Sequence, residues 1–113
     1  MKVTRTERGW AGHFICALEC RFRRNTLLEA GETRIIVSTV GNYVYDNKVQ
    51  EIGLDRYHET MAFHAEWEDP YWEVDVHREV PFESNWSLGD IKDDNIVNEM
   101  HETVVNEIMR TMK

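Results

Sequence analysis

Residues 57–80 read YHETMAFHAEWEDPYWEVDVHREV, and this stretch decides the fold. Apolar and polar residues alternate on both sides of Asp69-Pro70, and alternation with a period of two is typical of β-strands. Because the φ angle of proline is already fixed, the Asp69-Pro70 pair favours a turn. Pairing Trp67 with Trp72 across this turn aligns the apolar faces of both arms, whereas a one-residue slip would oppose apolar and polar side chains. The sequence therefore predicts a long antiparallel hairpin in this register.

The rest of the chain predicts further strands and one helix. Residues 12–22 alternate as a half-buried strand does, and the β-branched residues of 33–40 predict a strand that is covered on both faces. Residues 43–49 predict a short hairpin. The last twenty residues repeat apolar side chains every four positions, which is typical of an amphipathic helix. We therefore expect one α+β domain over residues 1–113, an antiparallel sheet of about five or six strands with a C-terminal helix packed on it.

The composition excludes several classes of protein. Hydrophobic residues make up 42% of the chain, too many for a disordered protein. We find no run of the roughly eighteen apolar residues that a membrane span needs, and no apolar segment typical of a signal peptide near the start. Cys16 and Cys20 would lie about 13 Å apart on one strand, too far for a disulfide. These features predict a protein of the cytoplasm, a reducing compartment.

The charge is unevenly distributed along the chain. The net charge is −8, but residues 1–34 hold seven basic and four acidic groups, whereas residues 35–113 hold six basic and seventeen acidic groups. Direct nucleic-acid binding requires clustered cations, so this balance opposes it. An acidic surface suits docking on a basic groove of another macromolecule, and it also suits simple solvation.

The polar side of the hairpin and its two tryptophans form a candidate partner-binding surface. Its residues are Glu66, Trp67, Trp72, Glu73, Asp75 and Glu79. Aromatic side chains are enriched at binding hot spots. The alternative is a cross-strand tryptophan pair that only stabilises the end of the hairpin.

The same hairpin register offers a candidate metal site. His64 lies opposite Asp75, with His77 a diagonal neighbour, so these side chains could converge on one divalent cation. The alternative is an exposed strand surface on which histidines and acids pair loosely.

Three arginines form a candidate anion site. Arg21, Arg23 and Arg24 lie close together, and guanidinium groups bind phosphate or carboxylate in bidentate fashion. The alternative is that they pair with acidic groups of this chain. The sequence contains no Gly-rich phosphate loop and no hydrolase or metalloprotease motif, and it identifies no cofactor.

Five segments, distributed over most of the chain, resemble small accessory proteins of phages and mobile elements. They are GWAGHFIC (9–16), FRRNTLLE (22–29), VSTVG (37–41), YHETMAFHA (57–65) and NEMHE (98–102). The resemblance implies a genomic context and assigns no catalytic residue. Small acidic phage proteins of this kind include inhibitors of host defence such as anti-CRISPR proteins.

Taken together, these features favour a non-enzymatic binding protein. We expect it to inhibit a host defence or nucleic-acid-processing complex, a protein or ribonucleoprotein, through its acidic surface. The alternative is a small protein that binds a phosphorylated ligand or nucleotide, or a metal-dependent enzyme, using the arginine and His/Asp clusters. A homo-oligomer that buries an edge strand against its own copy is a third expectation.

Overall fold

The computed structural model describes residues 2–9, 13, 20–45, 48–50, 57–89 and 93–112. Within these ranges the chain forms seven strands and one helix. They are β1 (Thr4–Glu7), β2 (Cys20–Ala30), β3 (Thr33–Tyr45), β4 (Lys48–Gln50), β5 (His58–Glu68), β6 (Tyr71–Glu79), β7 (Ser87–Leu88) and α1 (Asp94–Met112). The predicted α+β class is confirmed.

All the strands belong to one antiparallel sheet. Its order is β1-β2-β3-β5-β6, while β4 pairs with β3 and β7 pairs with β5. The strand predicted over residues 12–22 ends too early, since β2 continues to Ala30. Residues 25–28 are all buried, so both faces of the strand are covered there and the alternation disappears. Much of the predicted strand at 12–22, including Cys16, lies outside the described residues.

Helix α1 packs across one face of the sheet, which we call the helix face. Val104, Val105 and Ile108 of the helix form a core with Leu28 and Ala62 of the sheet. The helix begins where Asp93 Oδ1 accepts the amide N–H of Asn95 at 2.9 Å, an N-cap contact. Among the described helical residues, none form a segment long and apolar enough to cross a membrane.

The hairpin of β5 and β6 keeps the predicted register only near its turn. Trp67 pairs with Trp72 and Ala65 with Val74, as predicted, but Phe63 then pairs with Glu79 instead of Val76. An irregularity in β6 causes the shift, because its residues 75–78 lie opposite too few residues of β5. The bulge leaves the Val76 side chain exposed.

Candidate functional site

Two exposed aromatic and three exposed acidic side chains of the hairpin lie together at its turn. We call residues 66–71 the hairpin tip. Trp67 is 54% exposed and Tyr71 is 46% exposed, and the carboxylates of Glu66, Glu68 and Asp69 around them are also exposed. An apolar ring surface bordered by carboxylates is typical of a site that recognises a basic protein surface.

Trp72 supports this surface from within the hairpin. Its ring lies 5.2 Å from that of Trp67 in an edge-on arrangement, and the Arg34 guanidinium lies 4.4 Å from its centroid. Its carbonyl accepts a hydrogen bond of 2.6 Å from Arg8 Nη1. The two tryptophans therefore form a cross-strand ring contact at the end of the hairpin, and Trp67 still leaves over half of its surface exposed.

The other predicted partner-binding residues are less uniform. Glu73 is half-buried beside the tip, and Glu79 is exposed at the opposite end of β6. The Asp75 side chain is only 15% exposed. Its Oδ1 accepts the backbone N–H of His77 at 3.1 Å, and its Oδ2 lies 4.0 Å from Arg78 Nη1. Asp75 thus stabilises the bulge and contributes little to the exposed surface.

The structure does not assemble the predicted metal site. The register shift moves β6 away from the pairing that would have placed His64 opposite Asp75 with His77 beside them. In the described ranges, which include all three residues, no group of three or more His, Cys, Asp or Glu side chains could hold a metal ion.

The three candidate anion-binding arginines are divided between the two faces of β2. Arg24 points to the helix face, where its Nη2 lies 2.7 Å from Glu7 Oε1 and 3.0 Å from Glu102 Oε1. Arg21 and Arg23 alternate with it and are exposed. Because β2 continues past residue 24 as a strand, the three guanidinium groups cannot converge, and Arg24 follows the alternative of an internal ion pair.

Arg24→Gln should therefore destabilise the protein, while Arg23→Gln should not. Removing Arg24 leaves the carboxylates of Glu7 and Glu102 with Arg5 as their remaining guanidinium partner. The free energy of unfolding should fall by about 1–2 kcal/mol, the contribution of charge-assisted hydrogen bonds in a partly buried site. The exposed Arg23 should change the free energy of unfolding by less than about 0.5 kcal/mol. Urea denaturation at pH 7 measures both, and equal effects would contradict this division of roles.

A buried chain of hydrogen bonds crosses the core beneath α1. His101 Nε2 lies 2.7 Å from Thr26 Oγ1, which donates to Glu7 Oε1 at 2.6 Å. On its other side, His101 Nδ1 lies 2.7 Å from Thr39 Oγ1, and Thr39 Oγ1 lies 2.6 Å from Thr60 Oγ1. Burial lowers the pKa of His101 to about 4, so the imidazole is neutral at pH 7. This network was not anticipated from the sequence.

A second histidine lies on the opposite face of the sheet. His13 Nδ1 lies 3.0 Å from Ser38 Oγ, its Nε2 lies 2.8 Å from Glu59 Oε1, and its backbone N–H donates to Ser38 Oγ at 3.2 Å. A hydroxyl, an imidazole and a carboxylate in series are the groups of a hydrolase triad. Ser38 is fully buried, however, so a substrate cannot reach its hydroxyl. The contacts instead fix His13 against the sheet.

No protein-family model, curated protein or solved structure matches this chain. The resemblance to phage accessory proteins therefore stays an expectation. The function has to be argued from the side chains that the fold places together.

One polar cavity also contains basic side chains, but its charges are already compensated. It has a volume of about 230 Å³, and its lining includes His64, Arg34 and Arg78. Arg34 Nε donates to Glu29 Oε2 at 3.0 Å, and Arg78 lies beside Asp75. In a chain with a net charge of −8, two paired arginines do not favour an anion site.

Proposed function

We propose that this protein is a non-enzymatic binding protein that docks its hairpin tip on a basic groove of another macromolecule. The observation that carries the proposal is the exposure of Trp67 and Tyr71 among the carboxylates of Glu66, Glu68 and Asp69. A buried aromatic anchor supplies much of the affinity of an interface. The surrounding charges accelerate association with a basic partner and select against acidic ones.

The proposed partner is a host defence or nucleic-acid-processing complex. Such complexes hold nucleic acid in grooves lined with Lys and Arg, and those side chains also pair with carboxylates. The acidic balance of residues 35–113 and the resemblance to phage accessory proteins support this choice of partner. The protein would then inhibit by occupying the groove that phosphates normally fill.

The buried polar groups favour binding over catalysis. In the described ranges, Ser38, His13 and Glu59 are sequestered together, and Thr26 and His101 bond each other within the core. Catalytic groups must reach a substrate, and these groups are enclosed, whereas Trp67 and its acidic neighbours are exposed to solvent.

Charge reversal at the hairpin tip should abolish inhibition. We expect cells that express the chain to show increased phage plaquing in a strain panel where each strain carries one defence system, CRISPR–Cas or restriction–modification. The Glu66→Lys/Glu68→Lys variant should no longer increase plaquing in the affected strain. Placing two positive charges against a basic groove should weaken binding by at least tenfold. Trp67→Ala should have a similar effect, since removing an interface anchor weakens affinity by roughly thirtyfold or more.

The matched control reverses two exposed acids that lie elsewhere. Glu83→Lys/Glu99→Lys changes the net charge equally, and both positions lie outside the hairpin. This control variant should increase plaquing as the wild-type chain does. Increased plaquing with the tip variant would contradict docking through the hairpin. No increase with the wild-type chain in any strain would contradict the choice of partner.

A further inference from the structure

A third exposed aromatic ring, that of Trp86, lies at a cavity beyond the far end of β6. The cavity has a volume of about 240 Å³, and we call it the connector cavity. It is lined by Thr60, Met61, Glu79, Pro81, Phe82 and Trp86. Pockets for cofactors and drug-sized ligands start at about 300 Å³, so this cavity is suited to one side chain or a group of that size.

The connector cavity exists because the chain leaves β5 and then returns to it. Val80 N–H still donates to Ala62 O at 2.7 Å, and Thr60 N–H donates to Trp86 O at 2.7 Å. The residues between Val80 and Trp86 arch away from the strand between these two bonds and enclose space against it. The contacts at both ends fix the width of the opening.

Helix α1 holds this arch in place. The carboxylate of Glu107 accepts the backbone N–H of Glu83 at 2.7 Å and that of Ser84 at 2.9 Å, and it also accepts the Ser84 hydroxyl. The hydroxyl bond and the amide bonds lower the pKa of Glu107, which keeps the carboxylate charged as an acceptor. A cavity whose wall is already fixed loses little entropy when a ligand binds.

The lining of the connector cavity favours a cation. Trp86 is 44% exposed and Phe82 is half-buried, so two aromatic residues border the space. Aromatic faces attract ammonium and guanidinium groups, tryptophan most strongly. The Glu79 carboxylate is exposed at the same cavity, and it forms no ion pair within the described part of the chain. The net charge of −8 adds an attractive field for a cation.

We infer that the connector cavity receives a lysine or arginine side chain of the basic partner. This inference rests on the proposed function and names a second contact for the same partner. Glu79 and Tyr71 are the two ends of β6, at most about 27 Å apart by the rise of a strand. A basic segment lying along β6 can therefore place one cationic side chain in the cavity while it covers the hairpin tip.

Binding of isolated side-chain analogues tests the inference without the partner. The full chain, labelled with ¹⁵N at its indoles, is titrated with N-acetyl-arginine methylamide, the lysine analogue, and the neutral norleucine analogue. We expect saturable shifts of the Trp86 indole signal with the cationic probes. Binding of the norleucine probe should be about tenfold weaker, since it lacks the charge that Trp86 and Glu79 recognise.

Matched variants locate the binding. Glu79→Gln should weaken binding of the cationic probes by about tenfold. Binding to the two Trp86 variants, which lack the reporting indole, is measured by titration calorimetry: Trp86→Leu should abolish it, while Trp86→Phe keeps an aromatic face and retains part of it. Glu83→Gln removes the same charge from the connector without touching the cavity lining, and it should bind as the wild-type chain does. Equal binding of the norleucine probe, or no effect of Glu79→Gln, would overturn the inference.

The outcome is separable from that of the proposed function. The tip variant Glu66→Lys/Glu68→Lys should still bind the arginine probe at Trp86, since the probe does not reach the tip. If the probe binds but the tip variant still increases phage plaquing, docking through the tip fails and the cavity assignment stands. If the tip variant no longer increases plaquing but no cationic probe shifts the Trp86 signal, the cavity assignment fails alone.

Discussion

Lowering the pH from 6.5 to 4 should reduce the free energy of unfolding by about 3 kcal/mol through His101 alone. Burial, together with a smaller effect of the nearby Arg24 guanidinium, lowers the pKa of His101 from 6.5 to about 4. Below pH 6.5 the unfolded chain therefore binds a proton that the folded chain does not take up until about pH 4. Stability from the neutral imidazole is complete above pH 6.5 and is lost as the pH falls through this window.

The hydrogen-bond chain explains why His101 resists protonation. Burial raises the pKa of Glu7, but hydrogen bonds from Thr26 and Arg24 keep it below its usual value. The carboxylate is therefore charged and accepts a hydrogen bond from the Thr26 hydroxyl. Thr26 Oγ1 then accepts from Nε2–H of His101, which leaves Nδ1 as an acceptor for the Thr39 hydroxyl. A proton on Nδ1 would require the Thr39 and Thr60 hydroxyls to turn together within the core.

Denaturation with urea at several pH values between 7 and 4 measures this effect. His101→Gln lowers stability at pH 7 but removes the titrating group, so its stability should change much less across the window. His77→Gln replaces an exposed histidine and should keep the full pH dependence. Glu102 titrates separately, because the Arg5 guanidinium lowers its pKa to about 2 and moves its effect below pH 4.5. A wild-type chain equally stable at pH 4.5 and 7 would contradict a neutral buried His101.

Local sequence patterns determined much of the fold. The period of two around Asp69-Pro70 predicted the hairpin, and the spacing of four near the C-terminus predicted α1, because both patterns follow from one element's own geometry. The bulge after Ala65 was not predictable, since it depends on the backbone bonds of Val80 and Trp86 to β5. The predicted strand over residues 12–22 stopped short of the end of β2, because burial on both faces removes the alternation that marks a strand.

The candidate site was less predictable because periodicity does not reveal which face another element covers. The face of β5 that carries Thr60 looks solvent-exposed in the sequence, yet α1 packs on it and Thr60 is fully buried. One signal was present. His101 lies midway between Val97 and Val105 on the buried stripe of the helix, where a histidine needs polar partners from the sheet. The connector cavity has no such signal, since it arises from the path of an irregular segment.

Gly41→Ala should destabilise the protein by about 3 kcal/mol, because Gly41 faces a buried ring directly across the sheet. Gly41 of β3 pairs with His58 of β5, and a Cβ atom at residue 41 would lie 1.9 Å from His58 Cδ2 and 2.6 Å from its Cγ. His58 is fully buried, with the edge of its ring packed near Phe22 at a centroid distance of 5.7 Å. The ring has little space in which to move, so the strands themselves would have to separate.

A double-mutant cycle identifies the clash as the cause. His58→Ala alone should cost about 2–4 kcal/mol by leaving a cavity. In that background Gly41→Ala should cost less than about 1 kcal/mol, since the added methyl group then meets open space. The coupling energy from urea denaturation should therefore be about 2 kcal/mol or more in favour of the double variant. A full cost of Gly41→Ala in the His58→Ala background would show that residue 41 requires glycine for its own backbone and not for its contact with His58.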